Sequence, residues 1–471
     1  MSFMDFKMTG IRTIATAAFC AISLGAVAQD MPPAGEARDF NIPEPTVVEF
    51  ENGLRATFVQ YGNVPKVTIS ARVRAGDLNE PEKNGIAGML ASMMEEGTTS
   101  RSAQDIAFEA ASMGGELAIS GDTSEITLGI DVLSEHATKA AELVADVLMN
   151  ATLPESELAR IKQDALRNLS VTLSQPQPQA NKAFAKLIYG DHIYGKPYAE
   201  EDVLSALTIE DLKAFYDAEL GAKRTNIYVV GQFDEAAMKE TLAKTLGTWK
   251  SGKDMITEVP QTQTALRVHM IDRPGAPQST LYLGLAVPDI HSADKTALDV
   301  MNTMLGGSFI SRITANIRED KGYTYSPRSG ITDFYGASHW VQRADVTTEA
   351  TAASLTEIFK EIDRLANEDA SEEDVASYKN FRTGVFVLRN ATRGGIIGQL
   401  ANLDFHGLPR ERLTNFVADT MAVSAADVKR VTAEYINPAQ MTLVLVGDLA
   451  KIRESVEKLP QFEEADITVA E

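Results

Sequence analysis

The stretch LTIEDL at residues 207–212 leads, after a short interval, into the apolar run NIYVVG at residues 226–231. Near the C-terminus, VSAADV at residues 423–428 leads into TLVLVG at residues 442–447 with the same internal spacing. In each copy a Thr or Ser stands three residues before an Asp, which is typical of a helix N-terminus. The β-branched, apolar run that ends in Gly predicts a buried strand. We therefore interpret the sequence as a duplication.

Other landmarks follow in the same order in each copy. Strand-like runs stand at residues 67–73 and 280–287, and amphipathic helical stretches stand at residues 136–150 and 352–366. A polar, turn-rich segment at residues 251–265 separates the copies. The sequence therefore predicts an α+β protein whose two similar halves, residues 40–250 and 266–460, are joined by a linker at residues 251–265.

Charge and composition exclude several classes of protein. The chain has 471 residues, of which 44 are Lys or Arg and 66 are Asp or Glu, so its formal net charge is −22. Because such a chain repels phosphate backbones, we expect no nucleic-acid partner. The hydrophobic share of 44% indicates a globular protein rather than a disordered one.

Residues 1–28 have the pattern of a signal peptide. Lys7 and Arg12 precede an apolar stretch at residues 14–27, and Ala26-Val27-Ala28 has the small residues that signal peptidase requires. The apolar stretch is too short for a stable membrane span, although a retained anchor is the alternative interpretation. The single cysteine, Cys20, lies within this segment. We therefore predict an exported, soluble, periplasmic protein with no cysteine and no membrane association after cleavage.

The stretch GIAGMLASMMEEGT at residues 85–98 resembles the zinc-site helix of the pitrilysin/insulinase peptidases, G-x-A-H-x-x-E-H-x-x-x-x-G-T. The frame matches, but Gly88 and Ser92 occupy the two histidine positions and Ala91 occupies the position of the catalytic glutamate. The family's third ligand, a glutamate further along the chain, aligns with Asn168. The resemblance therefore implies a degenerate zinc site, so we expect no metal or cofactor in this chain itself.

A second segment resembles the family's C-terminal half. It runs through NTMLGGSFISRI at residues 302–313 and continues to residue 326. The family carries an Arg and a Tyr seven residues apart at this point, and Arg318 and Tyr325 match that spacing. In the family these side chains hold the substrate backbone against the zinc and stabilise the oxyanion that develops. Gly306 and Gly307 are candidate substrate-binding residues in this segment.

Structural interpretations of the same residues stay open at this point. Arg318 could simply complement the dipole of a helix that Gly322 ends. Tyr325 could be an ordinary strand tyrosine, and strand alternation would place Tyr323 on the same face. The glycine pair could bring the backbone close to a peptide or could only turn the chain.

The resemblance implies an antiparallel-rich sheet packed with helices in each half, with the two halves forming a clamshell. It also implies a non-catalytic subunit that binds an unfolded peptide and donates Arg318 and Tyr325 to a homologous subunit carrying HxxEH. Zinc would then belong to that partner, in a heterodimeric metallopeptidase. The alternative is a structural or peptide-binding scaffold with no role in proteolysis. A stand-alone peptidase with an atypical centre is a third hypothesis.

Overall fold

Within residues 42–470, the apolar runs of the sequence form twelve strands in two six-stranded sheets. The computed structural model describes residues 42–470, so the predicted signal peptide lies outside the described residues. The strands of the first sheet are β1 Thr46–Glu49, β2 Arg55–Gln60, β3 Lys66–Val73, β4 Ala118–Gly121, β5 Ile126–Leu133 and β6 Thr225–Gly231. Those of the second sheet are β7 Arg267–Asp272, β8 Gln278–Val287, β9 Arg328–Phe334, β10 Ala337–Thr347, β11 Thr442–Gly447 and β12 Asp466–Val469.

The two sheets have the same topology. Their orders are β1-β2-β6-β3-β5-β4 and β12-β7-β11-β8-β10-β9. In each, a parallel pair (β2 with β6, β7 with β11) is followed by three antiparallel pairings. Only one edge strand differs between the sheets. In the first sheet β1, which precedes β2 in the chain, pairs antiparallel with β2, whereas in the second sheet β12, the last strand, pairs parallel with β7. The predicted α+β fold with two similar, antiparallel-rich halves is confirmed.

Helices surround both sheets. In the first half they are α1 Ile86–Met94, α2 Ala103–Ser112, α3 Ala137–Asn150, α4 Glu155–Leu173, α5 Pro176–Tyr189, α6 Glu201–Ala206, α7 Ile209–Glu219 and α8 Glu235–Lys244. In the second half they are α9 Lys295–Asn302, α10 Arg312–Thr314, α11 Thr351–Asn367, α12 Glu372–Asn390, α13 Arg393–His406, α14 Glu411–Thr414, α15 Phe416–Ala422, α16 Ala425–Tyr435 and α17 Leu449–Glu457. Two π-helical turns, Thr303–Gly307 and Ala315–Asp320, flank α10. No helix within residues 42–470 combines the length and apolarity that crossing a bilayer requires.

The repeat seen in the sequence is a structural repeat. Helices α7 and α16 occupy corresponding places in the two copies, and each has 11 residues. At the first, the Thr208 hydroxyl accepts a hydrogen bond from the Asp211 N–H at 3.2 Å, and the Asp211 carboxylate accepts one from the Thr208 N–H at 2.9 Å. Ser424 and Asp427 form the same reciprocal pair at 3.1 and 3.0 Å. Both capping boxes satisfy N–H groups that a helix N-terminus otherwise leaves unpaired.

The continuous apolar runs of β6 and β11 are explained by burial on both faces. Alternate residues of a strand point to opposite faces of its sheet. In β6, Ile227 and Val229 pack into the core of the first half, while Tyr228 and Val230 belong to a separate cluster on the opposite face. Residues of β11 divide between two clusters in the same way. Helices of the same half therefore pack on one face of each sheet, and a separate apolar cluster packs on the other face.

That second cover comes from the opposite half. Helix α13 of the second half packs Ile396, Ile397 and Leu400 onto the first sheet. Helix α5 of the first half packs Phe184 and Ile188 onto the second sheet. The two helices stand at corresponding places in the repeat, and each has 14 residues. The halves therefore exchange equivalent helices.

Polar contacts reinforce this exchange. The Asp404 carboxylate on α13 accepts a hydrogen bond from the Tyr228 hydroxyl at 2.6 Å and pairs with the Arg55 guanidinium at 2.5 Å. On the other side, the Tyr189 hydroxyl on α5 lies 2.8 Å from Nδ1 of His339. Burial lowers the pKa of His339 to about 3, so this imidazole is neutral at ordinary pH.

Candidate functional site

Helix α1 carries the positions that align with the family's zinc ligands. Its buried residues, among them Leu90 and Met93, anchor it in the core of the first half. Gly88 is half-buried and Ser92, one turn further, is exposed. The Ser92 hydroxyl donates to the Gly88 carbonyl at 3.2 Å, and Ala91 is only 2% exposed. The outer face of α1 therefore presents a hydroxyl and a bare backbone.

Helix α4, which packs against α1, carries the third position. Asn168 is exposed, whereas the next residue, Leu169, packs against the core of the first half. Zinc in proteins is bound by thiolate, imidazole or carboxylate groups. The side chains at Gly88, Ala91, Ser92 and Asn168 supply none of these, so the residues present do not fit a zinc ion. Across residues 42–470 no group of three His, Cys, Asp or Glu side chains is arranged to hold a metal.

A buried carboxylate lies at the N-terminus of α1. Asp77 is 6% exposed and accepts a hydrogen bond from the Ala87 N–H at 2.9 Å. Burial raises the pKa of Asp77 to about 6, although backbone N–H groups of Ala87 and Gly85 oppose the rise. The first half therefore holds a group beside α1 that titrates close to neutral pH.

In the second half, the glycine pair lies in a π-helical turn packed against β9. A Cβ atom on Gly306 would lie 2.6 Å from both Gln342 Oε1 and Ser329 Oγ, and one on Gly307 would lie 2.6 Å from Asn302 Nδ2. Neither glycine has a positive φ. Close packing against these neighbours therefore restricts the side-chain volume at both positions of the π-helical turn.

Arg318 and Tyr325 lie side by side. The Arg318 guanidinium carbon is 4.9 Å from the centroid of the Tyr325 ring and 4.3 Å from that of Phe309. Such cation–π contacts hold a guanidinium in place. Gly322, with φ +67°, ends the π-helical turn and donates its N–H to the Arg318 carbonyl at 3.1 Å. The structure thus brings together the two residues that the family resemblance indicated.

The structure also distinguishes the two candidate tyrosines. Tyr325 is 78% exposed, and its hydroxyl makes no hydrogen bond to any described residue. Tyr323 is half-buried against the core of the second half. The expectation that strand alternation places both on one face is wrong, because residues 323–325 lie between elements and only Thr324 forms a bridge, with Val346. Tyr325 is therefore the tyrosine that is accessible beside Arg318.

A cavity of about 860 Å³ opens beside this pair. Gly306, Gly307, Arg318 and Tyr325 all line it. Its other lining residues are Ile290, Lys295, Asp299, Asn302, Thr303, Ser308, Phe309, Thr314, Ser326, Pro327, Arg328, Asp333, Phe381, Arg382, Val385, Phe386, Arg389, Gln399, Asn402, Leu403, Leu408, Arg412, Leu413 and Phe416. All lie in the second half, so the cavity does not include the zinc-site positions of α1 and α4.

An ion network forms one wall of the cavity. Lys295 Nζ lies 2.6 Å from Asp299 and 3.1 Å from Asp333, and Arg382 Nη2 lies 2.7 Å from Asp299. Burial alone would lower the pKa of Lys295, but the carboxylates of Asp299 and Asp333 outweigh it and raise that pKa. Burial likewise opposes ionisation of Asp299, but Arg382 and Lys295, together with Arg412, lower its pKa below the usual value. Lys295 and Asp299 are therefore both ionised near neutral pH.

Sequence reasoning missed several residues of this site. Phe309, 64% exposed and stacked on Arg318, follows the glycine pair closely, so an exposed aromatic at that place was a usable signal. Arg382 and Arg389 stand seven residues apart on α12, a spacing that places them on one helix face. Lys295 and Asp299 stand four residues apart on α9, a spacing that favours an ion pair, whereas Asp333 comes from β9 and had no local signal.

Two models of one protein family match the chain. The model described as "Insulinase (Peptidase family M16)" matches residues 58–201. The model described as "Peptidase M16 inactive domain" matches residues 206–381. Together they span the zinc-site positions and the segment containing Arg318 and Tyr325.

Curated relatives carry matching names. The chain is 27% identical over 318 residues to "Uncharacterized zinc protease YmxG" of Bacillus subtilis, which covers 65% of this chain and 77% of that protein. It is 22% identical over 415 residues to "Uncharacterized zinc protease SCO5738" of Streptomyces coelicolor, covering 84% of this chain and 88% of that protein.

Solved structures share the fold. The chain matches a peptidase M16 inactive domain from Pseudomonas fluorescens with a TM-score of 0.79 at 22% identity, covering 86% of this chain and 98% of that one. It matches a protease from Helicobacter pylori with a TM-score of 0.80 at 20% identity, covering 86% of this chain and 100% of that one. With both halves matched in order, the chain belongs to the insulinase family of peptidases, family M16.

Proposed function

We propose that this protein is the non-catalytic subunit of a heterodimeric zinc peptidase. It binds an unfolded peptide and donates Arg318 and Tyr325 to the zinc site of a homologous subunit that carries HxxEH. The zinc belongs to that partner, and this chain holds none. The complex acts in the periplasm after residues 1–28 are removed.

The observation that carries the proposal is the contrast between Tyr325 and α1. Tyr325 is exposed beside Arg318, with its hydroxyl free of any partner among the described residues. The positions on α1 that would hold zinc carry no ligand, and they do not line the cavity beside the pair. A phenol and a guanidinium placed in this way support a role at a metal centre of another subunit.

The chemistry requires both groups. A zinc ion held by the partner would supply activated water, and attack of water on a peptide carbonyl would place negative charge on the carbonyl oxygen. A fixed phenol O–H and a guanidinium stabilise that charge more strongly than they stabilise the neutral carbonyl, so they lower the barrier. Phe309 supports this role by holding the guanidinium between two rings, so that less reorganisation is needed during the reaction.

The proposal is tested by reconstituting the mature chain with an HxxEH-bearing homologue from the same organism. Tyr325→Phe removes one hydroxyl from an exposed side chain, so folding and assembly should be almost unchanged. Turnover should fall by about 10²–10³-fold, mainly in kcat, as expected when one oxyanion donor is lost. Arg318→Lys should also impair turnover, because an ammonium cannot replace the planar guanidinium fork.

Tyr323→Phe is the matched control. Because Tyr323 packs against the core, this variant should leave turnover near the wild-type value. Full activity of Tyr325→Phe and Arg318→Ala would leave only the scaffold hypothesis. One tightly held zinc per chain in the isolated protein, with chelator-sensitive proteolysis, would overturn the assignment of zinc to the partner.

A further inference from the structure

The cavity beside Tyr325 carries an excess of positive charge, although the chain as a whole is acidic. Six basic and two acidic residues line it, whereas the sequence contains 44 basic and 66 acidic residues. The two carboxylates, Asp299 and Asp333, are neutralised by Lys295 and Arg382. Arg412 also interacts electrostatically with Asp299, which leaves three arginines without a carboxylate in the cavity wall: Arg318, Arg328 and Arg389.

These three guanidinium groups, and that of Arg412, form few direct contacts within the described part of the chain. Arg412 donates to the backbone carbonyl of Ile290 at 3.0 Å. Arg318 pairs at 3.1 Å with Glu319, which is well exposed and does not line the cavity. The side chains of Arg328 and Arg389 form no ion pair or hydrogen bond with any residue between 42 and 470. The cavity therefore has cations whose charge is available to a ligand.

Two buried donors in the same cavity lack an acceptor. The Ser308 hydroxyl, in a residue only 6% exposed, has no hydrogen-bond partner among the described residues. The same holds for Nε of Arg382. An unpaired buried donor is costly, so a ligand that brings an acceptor would satisfy it. Free donors beside free cations favour an anionic oxygen ligand.

The rest of the lining is apolar. Phe386 and Phe416 stack with ring centroids 3.9 Å apart, and Phe381 is partly exposed nearby on α12. A volume of about 860 Å³ is that of a pocket which encloses an organic ligand. A small inorganic anion would leave these aromatic surfaces uncovered, whereas a peptide segment supplies both carboxylate and apolar atoms.

We infer that this cavity binds a carboxylate group of a peptide. The inference rests on the proposed function, because the peptide is the substrate that this chain would present to its partner. The carboxylate has two possible sources, an Asp or Glu side chain and the C-terminus of the peptide. Both offer the same planar pair of oxygens to an arginine fork.

Isothermal titration of the mature chain alone tests the inference with three peptides of one length that are otherwise uncharged. One contains a single Glu and an amidated C-terminus, the second has Gln in its place and a free C-terminus, and the third has Gln and an amidated C-terminus. We expect at least one carboxylate-bearing peptide to bind about tenfold or more tightly than the third, since hydrogen bonds to charged groups contribute that much. The preferred peptide identifies the source.

Arg389→Gln and Arg328→Gln should each reduce the preference severalfold, and added salt should weaken it. Arg453→Gln, an exposed substitution on α17 away from the cavity, should leave the preference intact. Equal binding of all three peptides, absence of binding, or a preference that survives both cavity variants would overturn the inference. Because the isolated chain is used, failure here together with Tyr325-dependent turnover in the complex would reject only the carboxylate pocket.

Discussion

The two halves repeat one architecture but differ in how they use its exposed positions. On α1 the buried residues hold the helix in its core, while Gly88 and Ser92 occupy the outer face. In the second half, by contrast, the corresponding surface carries functional side chains. Arg318 stacks on the rings of Phe309 and Tyr325, and all three side chains line the cavity. The comparison teaches that packing and chemistry are separable, because burial of apolar surface maintains the fold whatever the exposed side chains are.

The contrast has measurable consequences. Substitutions at the degenerate zinc-site positions of the first half should leave the free energy of unfolding unchanged or raise it. Substitutions in the cavity wall of the second half should lower it.

The largest effect is expected for Lys295→Met. This change leaves the carboxylates of Asp299 and Asp333 without their shared cation in a buried wall. The free energy of unfolding should fall by about 3–5 kcal/mol, as when one partner of a buried ion pair is removed. Chemical denaturation measures it, with Lys244→Met as the control because that exposed i,i+4 pair contributes little. Equal free energies of unfolding of the two variants would show that the ion network around Lys295 does not stabilise the fold.

A smaller effect is expected for Asp77 and depends on pH. Its pKa is raised from 3.8 to about 6 in the folded chain, so the folded state binds the proton more tightly than the unfolded state. Its contribution to stability is therefore fully present below pH 3.8 and is lost as pH rises through 6, a change of about 3 kcal/mol. Asp77→Asn should lack this loss, which denaturation at pH 4 and pH 7 would reveal.

Asp105→Asn gives a control of opposite sign. Hydrogen bonds from Ser102 lower the pKa of Asp105, so the wild-type chain gains stability relative to this variant as pH rises. Parallel pH profiles for wild type and Asp77→Asn would contradict the assignment of the raised pKa to Asp77.

Gly306→Ala should destabilise the second half by about 1–3 kcal/mol, the usual cost of overpacking a buried site. The new methyl group would meet Gln342 Oε1 and Ser329 Oγ at 2.6 Å. Thermal unfolding measures the loss. An unchanged melting temperature would mean that these two side chains move aside freely.

The smallest effect is a gain at Gly88→Ala. A Cβ atom there meets only the Gly121 carbonyl, at an ordinary 3.6 Å, and the residue lies inside a helix. Alanine should stabilise α1 by up to about 1 kcal/mol, which differential scanning calorimetry would detect. If Gly88→Ala destabilised the protein as much as Gly306→Ala, the proposed difference between the two halves would be wrong.

Local signals were enough to predict the fold class. The Thr208–Asp211 and Ser424–Asp427 pairs predict helix starts because a capping box involves only neighbouring residues. The apolar runs predict buried strands for the same reason. The exchange of α5 and α13 could not be predicted, because the sequence does not tell which helix covers the second face of a sheet.

The residues of the candidate site could be predicted only where they lie close together in one segment of the sequence. Arg318 and Tyr325 are seven residues apart, so their contact needs no long-range information. Arg382 and Asp299 are 83 residues apart, and their pairing depends on how α12 packs against α9. The family's spacing already favoured Tyr325 over Tyr323, but the greater exposure of Tyr325 depends on the loss of strand geometry at residues 323–325.

The exchanged helices have a consequence for synthesis. The last strand of the first sheet ends at Gly231, but the helix that covers its outer face ends only at His406, after β7, β8, β9 and β10 have been made. Because ribosomes add roughly 5–20 residues per second, Tyr228 and Val230 stay uncovered for on the order of 10–30 s. Until then the apolar face around Tyr228 and Val230 stays exposed to water, so the first half cannot complete its packing before most of the second half has been made.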